Sequence, residues 1–262
     1  MSLLHWAVSN DGASNPKQVV WKTWQHFANR NLTTWSGRKL FYYPHHIPGE
    51  LQDAKNLSEA CLIHQSGYHE CTEIAELLSQ SLLVNNVPHK LVGIELDNKG
   101  RMMVNNWAVK KVSFPGEDYP LKLTLFKHTD TTILGRMTSP TIKRPRMRYG
   151  DLINEGGLAG QNVANPAEKI FESHQMVYIL NEHLPSELVD KSGSKTPYLD
   201  PSYGVVYKDK EDFVQNALFG YVQYDEEPEA KVDDEGHSIL LFKAKEAKAS
   251  DNLILFSHSP IN

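Results

Sequence analysis

Cysteine is scarce in this chain, with two in 262 residues. That excludes the disulfide framework of a small secreted scaffold and suits a reducing compartment, where each thiol needs a reason in packing or chemistry. Long apolar runs are also missing; none approaches the ~18 residues of a membrane-spanning helix. The opening Met1-Ser2-Leu3-Leu4-His5-Trp6 has no basic segment leading into an apolar stretch, so no secretory signal is expected and the expected location is cytoplasmic. A basic excess is absent. The 27 Lys and Arg against 32 Asp and Glu leave a net charge of −5, so neither nucleic acid nor membrane is an expected partner. There is no internal repeat and no clear linker. A chain of this length buries about 70–75% of its unfolded surface, enough for a core without covalent staples. We therefore expect one domain over residues 1–262, with an irregular insertion at about 128–169.

What is present reads as helices first and strands afterwards. Asn15-Pro16 has the form of an N-cap followed by Pro at the first helical position, and Val20, Trp24 and Phe27 then recur on one face. The stretch from Trp35 to Gly49 reads as irregular, and Leu51, Ala54 and Leu57 suggest a short helix. The strongest helical pattern runs from Cys71 to Leu83, with Ile74, Ala75, Leu77, Leu78 and Leu82 apolar and a stop at Asn85-Asn86-Val87-Pro88. From Leu91 the period changes to two. Leu91 to Leu96 reads as a strand, Asp97-Asn98-Lys99-Gly100 as a hairpin loop and Met102 to Phe114 as its partner strand. Further strands are expected at 121–126, 171–180, 198–207, 218–224, 239–244 and 253–256, with the acidic stretch 225–236 as an exposed loop. Helices followed by an antiparallel sheet indicate an α+β class.

One constellation carries chemistry. Cys71 opens the best helix, where unpaired N–H groups and the positive end of the dipole favour a thiolate. A cysteine nucleophile also needs a base within reach and a group that orients the base. His174 lies in the strand Phe171–Tyr178, and Asp200 ends Tyr198-Leu199-Asp200, closed by Pro201. If those strands pair, the carboxylate reaches the imidazole. Asn181, His183 and Asp190 are rival partners in a loop. A buried thiol on an apolar helix is, however, more often a small hydrophobe than a nucleophile.

The runs Gly67-Tyr68-His69-Glu70-Cys71-Thr72-Glu73-Ile74 and Asn86-Val87-Pro88-His89-Lys90-Leu91, continued by Ser173-His174-Gln175-Met176-Val177 and Tyr198-Leu199-Asp200-Pro201, resemble the transglutaminase-like superfamily over residues 60–207. The chain departs from that pattern at His69-Glu70, where glycine is usual, and at Thr72, where an aromatic is usual. The resemblance implies a papain-related fold in which a helix-borne Cys71 meets a sheet-borne His174 and Asp200. It implies acyl transfer or amide hydrolysis on a peptide or protein substrate, with no cofactor. Gln65, six residues before Cys71, takes the place of a papain-type oxyanion donor. The alternative is a catalytically inactive member that binds a protein or ligand.

Two other features compete. Cys61, His64, His69 and Cys71 are zinc-type ligands, but one residue between the second pair suits a tetrahedral site poorly, and no metal is expected. Cys61 is expected to be structural. Arg136, Lys143, Arg144, Arg146 and Arg148 form a basic run broken by prolines, which reads as a solvated loop. Gly156-Gly157-Leu158-Ala159-Gly160-Gln161 lacks the Lys-Ser/Thr of a phosphate loop and reads as a mobile candidate lid.

Overall fold

The computed structural model describes residues 10, 12–33, 39–42, 68–69, 71–97, 100–104, 119–124, 148–149, 160–162, 170–171, 173–222, 229–232, 238–246, 248 and 254–261. The suggested helix near 51–57 and the residues Cys61, His64 and Gln65 lie outside them, as does most of the basic run.

Helix α1, Pro16–Ala28, begins where Asn15 accepts a hydrogen bond from Gln18 N at 3.0 Å, and Gln18 returns one from Ser14 N at 2.8 Å. Its buried face carries Val20, Trp24 and Phe27. Helix α2, Cys71–Val84, packs on α1 and the sheet, and Leu77, Leu78 and Leu82 are fully enclosed. Each such leucine contributes about 1.5–3 kcal/mol relative to an exposed one. The helix ends as the Asn-Asn pair predicts. Asn86 takes a left-handed φ of 53°, and the N–H groups of Asn86 and Val87 return to Leu83 O and Leu82 O.

The strands form two sheets and a separate pair. Strands β1, Phe41–Tyr42, and β2, Tyr68–His69, pair in parallel just before α2. The first sheet has five antiparallel strands in the order β10-β9-β8-β3-β14: Val205–Tyr207, Tyr198–Asp200, Ser173–Ile179, His89–Leu96 and Ile254–His258. The second has seven. Its path is β6-β5-β13-β11-β4-β7, which are Arg148–Tyr149, Tyr119–Thr124, Ser238–Glu246, Leu218–Val222, Arg101–Val104 and Ile170–Phe171, with β12, Glu229–Val232, on β13. A third helix, α3, Lys210–Ala217, lies between β10 and β11.

The α+β class therefore stands, with several expectations corrected. A single sheet was expected, and two larger ones are present. The expected hairpin across Asp97–Gly100 does not form as a sheet pair, because β3 lies between β8 and β14 while β4 bonds β11 and β7. The expected strand from 171 divides, with Phe171 in the second sheet and Ser173 onward in the first. The acidic loop contains β12, and the irregular 128–169 stretch contains β6. Helix α3 was missed, although Asp209 caps it by accepting from Asp212 N at 2.8 Å, and Phe213, Val214 and Ala217 form its buried stripe.

Candidate functional site

Three elements meet at one place: the start of α2, the first half of β8 and the end of β9. Strand alternation sets His174, Met176 and Tyr178 on one face of β8. The register Tyr178↔Tyr198 and Val177↔Leu199 brings Asp200 level with Met176, diagonal to His174. His174 Nε2 and Asp200 Oδ2 lie 2.8 Å apart, and both side chains are closed to solvent. The second carboxylate oxygen accepts from Ser202 N at 3.1 Å, and Gly204 N donates to Asp200 O at 2.8 Å. Pro201–Gly204 is thus a tight turn, and Gly204 adopts φ 66° with a would-be Cβ 2.7 Å from Phe27 O.

Cys71 is a free, half-buried thiol, close enough to His174 to raise the pKa of its ring. Nε2 is committed to Asp200, which leaves Nδ1 as the nitrogen available for proton exchange with the thiol. Burial by itself pulls the His174 pKa down. The charge of Asp200, its hydrogen bond and the Cys71 contact outweigh that and raise it to about 10. His174 is therefore an imidazolium at neutral pH. The Phe171 and Tyr203 rings flank it at 6.1 and 6.0 Å.

A layer of buried phenols backs the pair. Tyr42 and Tyr203 meet edge to face with centroids 4.9 Å apart. Burial first, and then neighbouring groups including Asp200, push Tyr42, Tyr203 and Tyr207 well above the usual phenol range, so all three stay neutral beside the charged pair. Tyr42 is brought there by the β1–β2 pairing, opposite His69, two residues before Cys71.

The rival partners sit elsewhere. Asp190 bonds Lys208 Nζ at 2.7 Å and accepts from Ser192 N and Ser194 N, which holds its carboxyl well below the ordinary range within its own loop. The described end of the expected lid, Gly160-Gln161, is buried and bonded, so it is a clamp rather than a flap. Sequence reasoning missed Gln161, Tyr42 and Tyr203. The only available signals were the Gly next to Gln161 and the Tyr-Gly after Asp-Pro-Ser. Among the described residues no group of three or more His, Cys, Asp or Glu side chains is placed to hold a metal ion. None of their helices is long and apolar enough to cross a membrane.

The chain matches no protein-family model, no curated protein and no solved structure.

Proposed function

We propose that the protein is a cysteine-dependent acyltransferase or amidase of the transglutaminase-like, papain-related type, acting in the cytoplasm on a peptide or protein amide. The observation that carries this reading is a half-buried thiol at a helix start beside a buried imidazole that is itself bonded to a buried carboxylate at 2.8 Å. An imidazolium keeps a neighbouring thiol in its nucleophilic form, and a carboxylate keeps the imidazole oriented and charged. Cys71 S⁻ would add to the amide carbonyl carbon. The tetrahedral adduct would then collapse as the C–N bond breaks, with the departing nitrogen taking the proton from His174. The resulting thioester would pass its acyl group to water or to an amine. That acceptor loses a proton to His174 as Cys71 is released. Gln65 remains the proposed oxyanion donor on sequence grounds. The backbone N–H of Cys71, at the helix start, is the natural second donor.

A second reading has its own support. His174 and Asp200 are 1% and 0% exposed, so the same pair would also serve as a sealed internal tie in a binding module. Alkylation of Cys71 across pH in wild type and His174→Ala decides between them. The enzyme reading requires the wild-type thiol to stay reactive at pH 6 and the variant to lose that reactivity. Identical profiles would end it.

A further inference from the structure

Gln161 is wholly buried, and three of its groups are bonded at distances of 2.7–2.9 Å. Its backbone N–H donates to Ser202 O, and its carbonyl accepts from Tyr42 N. Its side-chain Nε2 donates to Pro201 O and to Phe27 O, a carbonyl in the last turn of α1. One residue therefore holds both carbonyls of the dipeptide that follows Asp200. The amide of that dipeptide, Ser202 N, fixes Asp200 Oδ1, and Asp200 Oδ2 lies on His174. The torsion of the carboxylate is thus set by where the 201–202 peptides sit. Gly160 has no room for a side chain, since a Cβ there would come within 2.9 Å of the Tyr42 Cβ, so the segment cannot slide.

Gln161 Oε1 is buried and has no hydrogen-bond partner among the described residues. An orphaned amide oxygen costs about 1–3 kcal/mol, and an apolar side chain of similar shape avoids that cost. A glutamine here is explained by what its NH₂ group does for Pro201 and Phe27.

We propose that Gln161 is a positioning residue for the His174–Asp200 pair, its side chain acting on Cys71 through the Asp200–Ser202 turn. The inference deepens the proposed function and takes its catalytic meaning from it, although the hydrogen bonds behind it do not depend on that reading. Among the described residues Asp200 from β9, Cys71 from α2 and the Tyr203 and Phe171 rings face His174. The Gln161 side chain reaches it through the Asp200 turn, and the backbone bond from Tyr42, which packs on Tyr203, is kept when only the side chain is changed.

The test uses the full chain and two readouts. Gln161→Met keeps the bulk and removes both side-chain donors. Asn162→Gly is the control, because glycine accepts the left-handed φ of 55° at this position without strain. It removes the neighbouring clamp, whose Nδ2 bonds Leu32 O and Leu40 O, and leaves the Asp200 turn untouched. Both variants should melt lower. Only Gln161→Met should lower the His174 titration followed by NMR, by about one unit, a tenfold change in proton affinity. It should also shift iodoacetamide labelling of Cys71 in the direction that Asp200→Asn shifts it, with no further shift when the two are combined. A folded Gln161→Met with the wild-type His174 titration overturns the proposal, as does an equal shift in Asn162→Gly. Should the methionine variant fail to fold, Gln161→Asn, which keeps the amide one methylene shorter, is read by the same criteria. Failure of the enzyme reading shows separately, as labelling of Cys71 that His174→Ala leaves unchanged, while the NMR titration still judges Gln161.

Discussion

Two histidines lie on adjacent strands of the five-stranded sheet, His89 on β3 and His174 on β8, and both are almost completely enclosed. Their charge states are opposite. His89 Nδ1 lies 2.8 Å from Val87 O, which only accepts, so Nδ1 carries the proton. In the neutral ring Nε2 then accepts from Ser79 Oγ, 2.7 Å away on α2. Burial lowers the pKa of the ring and outweighs a smaller upward pull from the Val87 carbonyl, so the ring is held toward the neutral form. His174 is just as enclosed but faces a carboxylate and a thiol, and its pKa is raised to about 10. Burial penalises charge in both places, so the partners decide. One histidine staples a helix to a sheet, and the other holds a proton beside a thiol.

The most direct way to break this comparison is to titrate both rings by NMR. His89 should stay neutral to below its ordinary value near 6.5, and His174 should stay protonated to about 10. The separation exceeds three units, or about 1,000-fold in proton affinity. Two rings that titrate together would leave His174 as a second structural staple. Next in size is His174→Ala. The thiol then loses the cation beside it, so iodoacetamide labelling of Cys71 at pH 6 should fall on the order of 100-fold, with little change at pH 9. Asp200→Asn keeps the size of the side chain and removes its charge. Labelling at pH 6 should fall about tenfold in the same direction, because tautomer and orientation are disturbed while the ring remains. An Asp200→Asn protein that labels like wild type would remove Asp200 from the site.

The parts of this arrangement that rest on local chemistry were legible in the sequence. Asn15-Pro16, the apolar stripe after Cys71 and the Asn85-Asn86 stop place both long helices within a residue or two, since caps and periodicity act over a few residues. The Cys71 helix, the His174 strand and the Asp200-Pro201 end could be read one by one for the same reason. The sheet membership could not. Phe171 and His174 fit one apolar run, yet Phe171 pairs with Met102 in the second sheet and His174 with Ile94 in the first, a division made by tertiary pairing. The Asp97–Gly100 turn signal suggested a hairpin, and competing partners for β3 on both sides left no edge for β4. Gln161 was illegible because its significance lies in bonds to Phe27, Tyr42, Pro201 and Ser202, all far from it in the chain. The Gly-rich composition around it suggests mobility, whereas in Gly160 the missing side chain makes room for Tyr42.

The smallest expected effect sharpens the comparison from the structural side. His89→Gln removes a buried ring that burial holds toward the neutral form. It should leave Cys71 labelling at pH 6 unchanged, because His89 bonds only Val87 and Ser79. Stability should fall by about 1–3 kcal/mol at pH 7.5, the cost of disturbing a buried hydrogen-bonded pair. The pH dependence has a defined sign. The folded-state pKa of His89 lies below its unfolded value near 6.5, so below that pH the unfolded chain binds a proton that the native state refuses. The contribution of His89 is therefore fully present above about pH 6.5 and is lost as the pH falls toward the folded value, at up to about 1.4 kcal/mol per pH unit. Urea unfolding of wild type and His89→Gln at pH 7.5, 6 and 5 measures it as a difference, in which the carboxylates common to both proteins cancel. The advantage of the wild type should be greatest at pH 7.5 and shrink toward pH 5. An advantage that is constant or grows in acid would mean that His89 accepts a proton in the folded protein, and the contrast with His174 would then lie in something other than their partners.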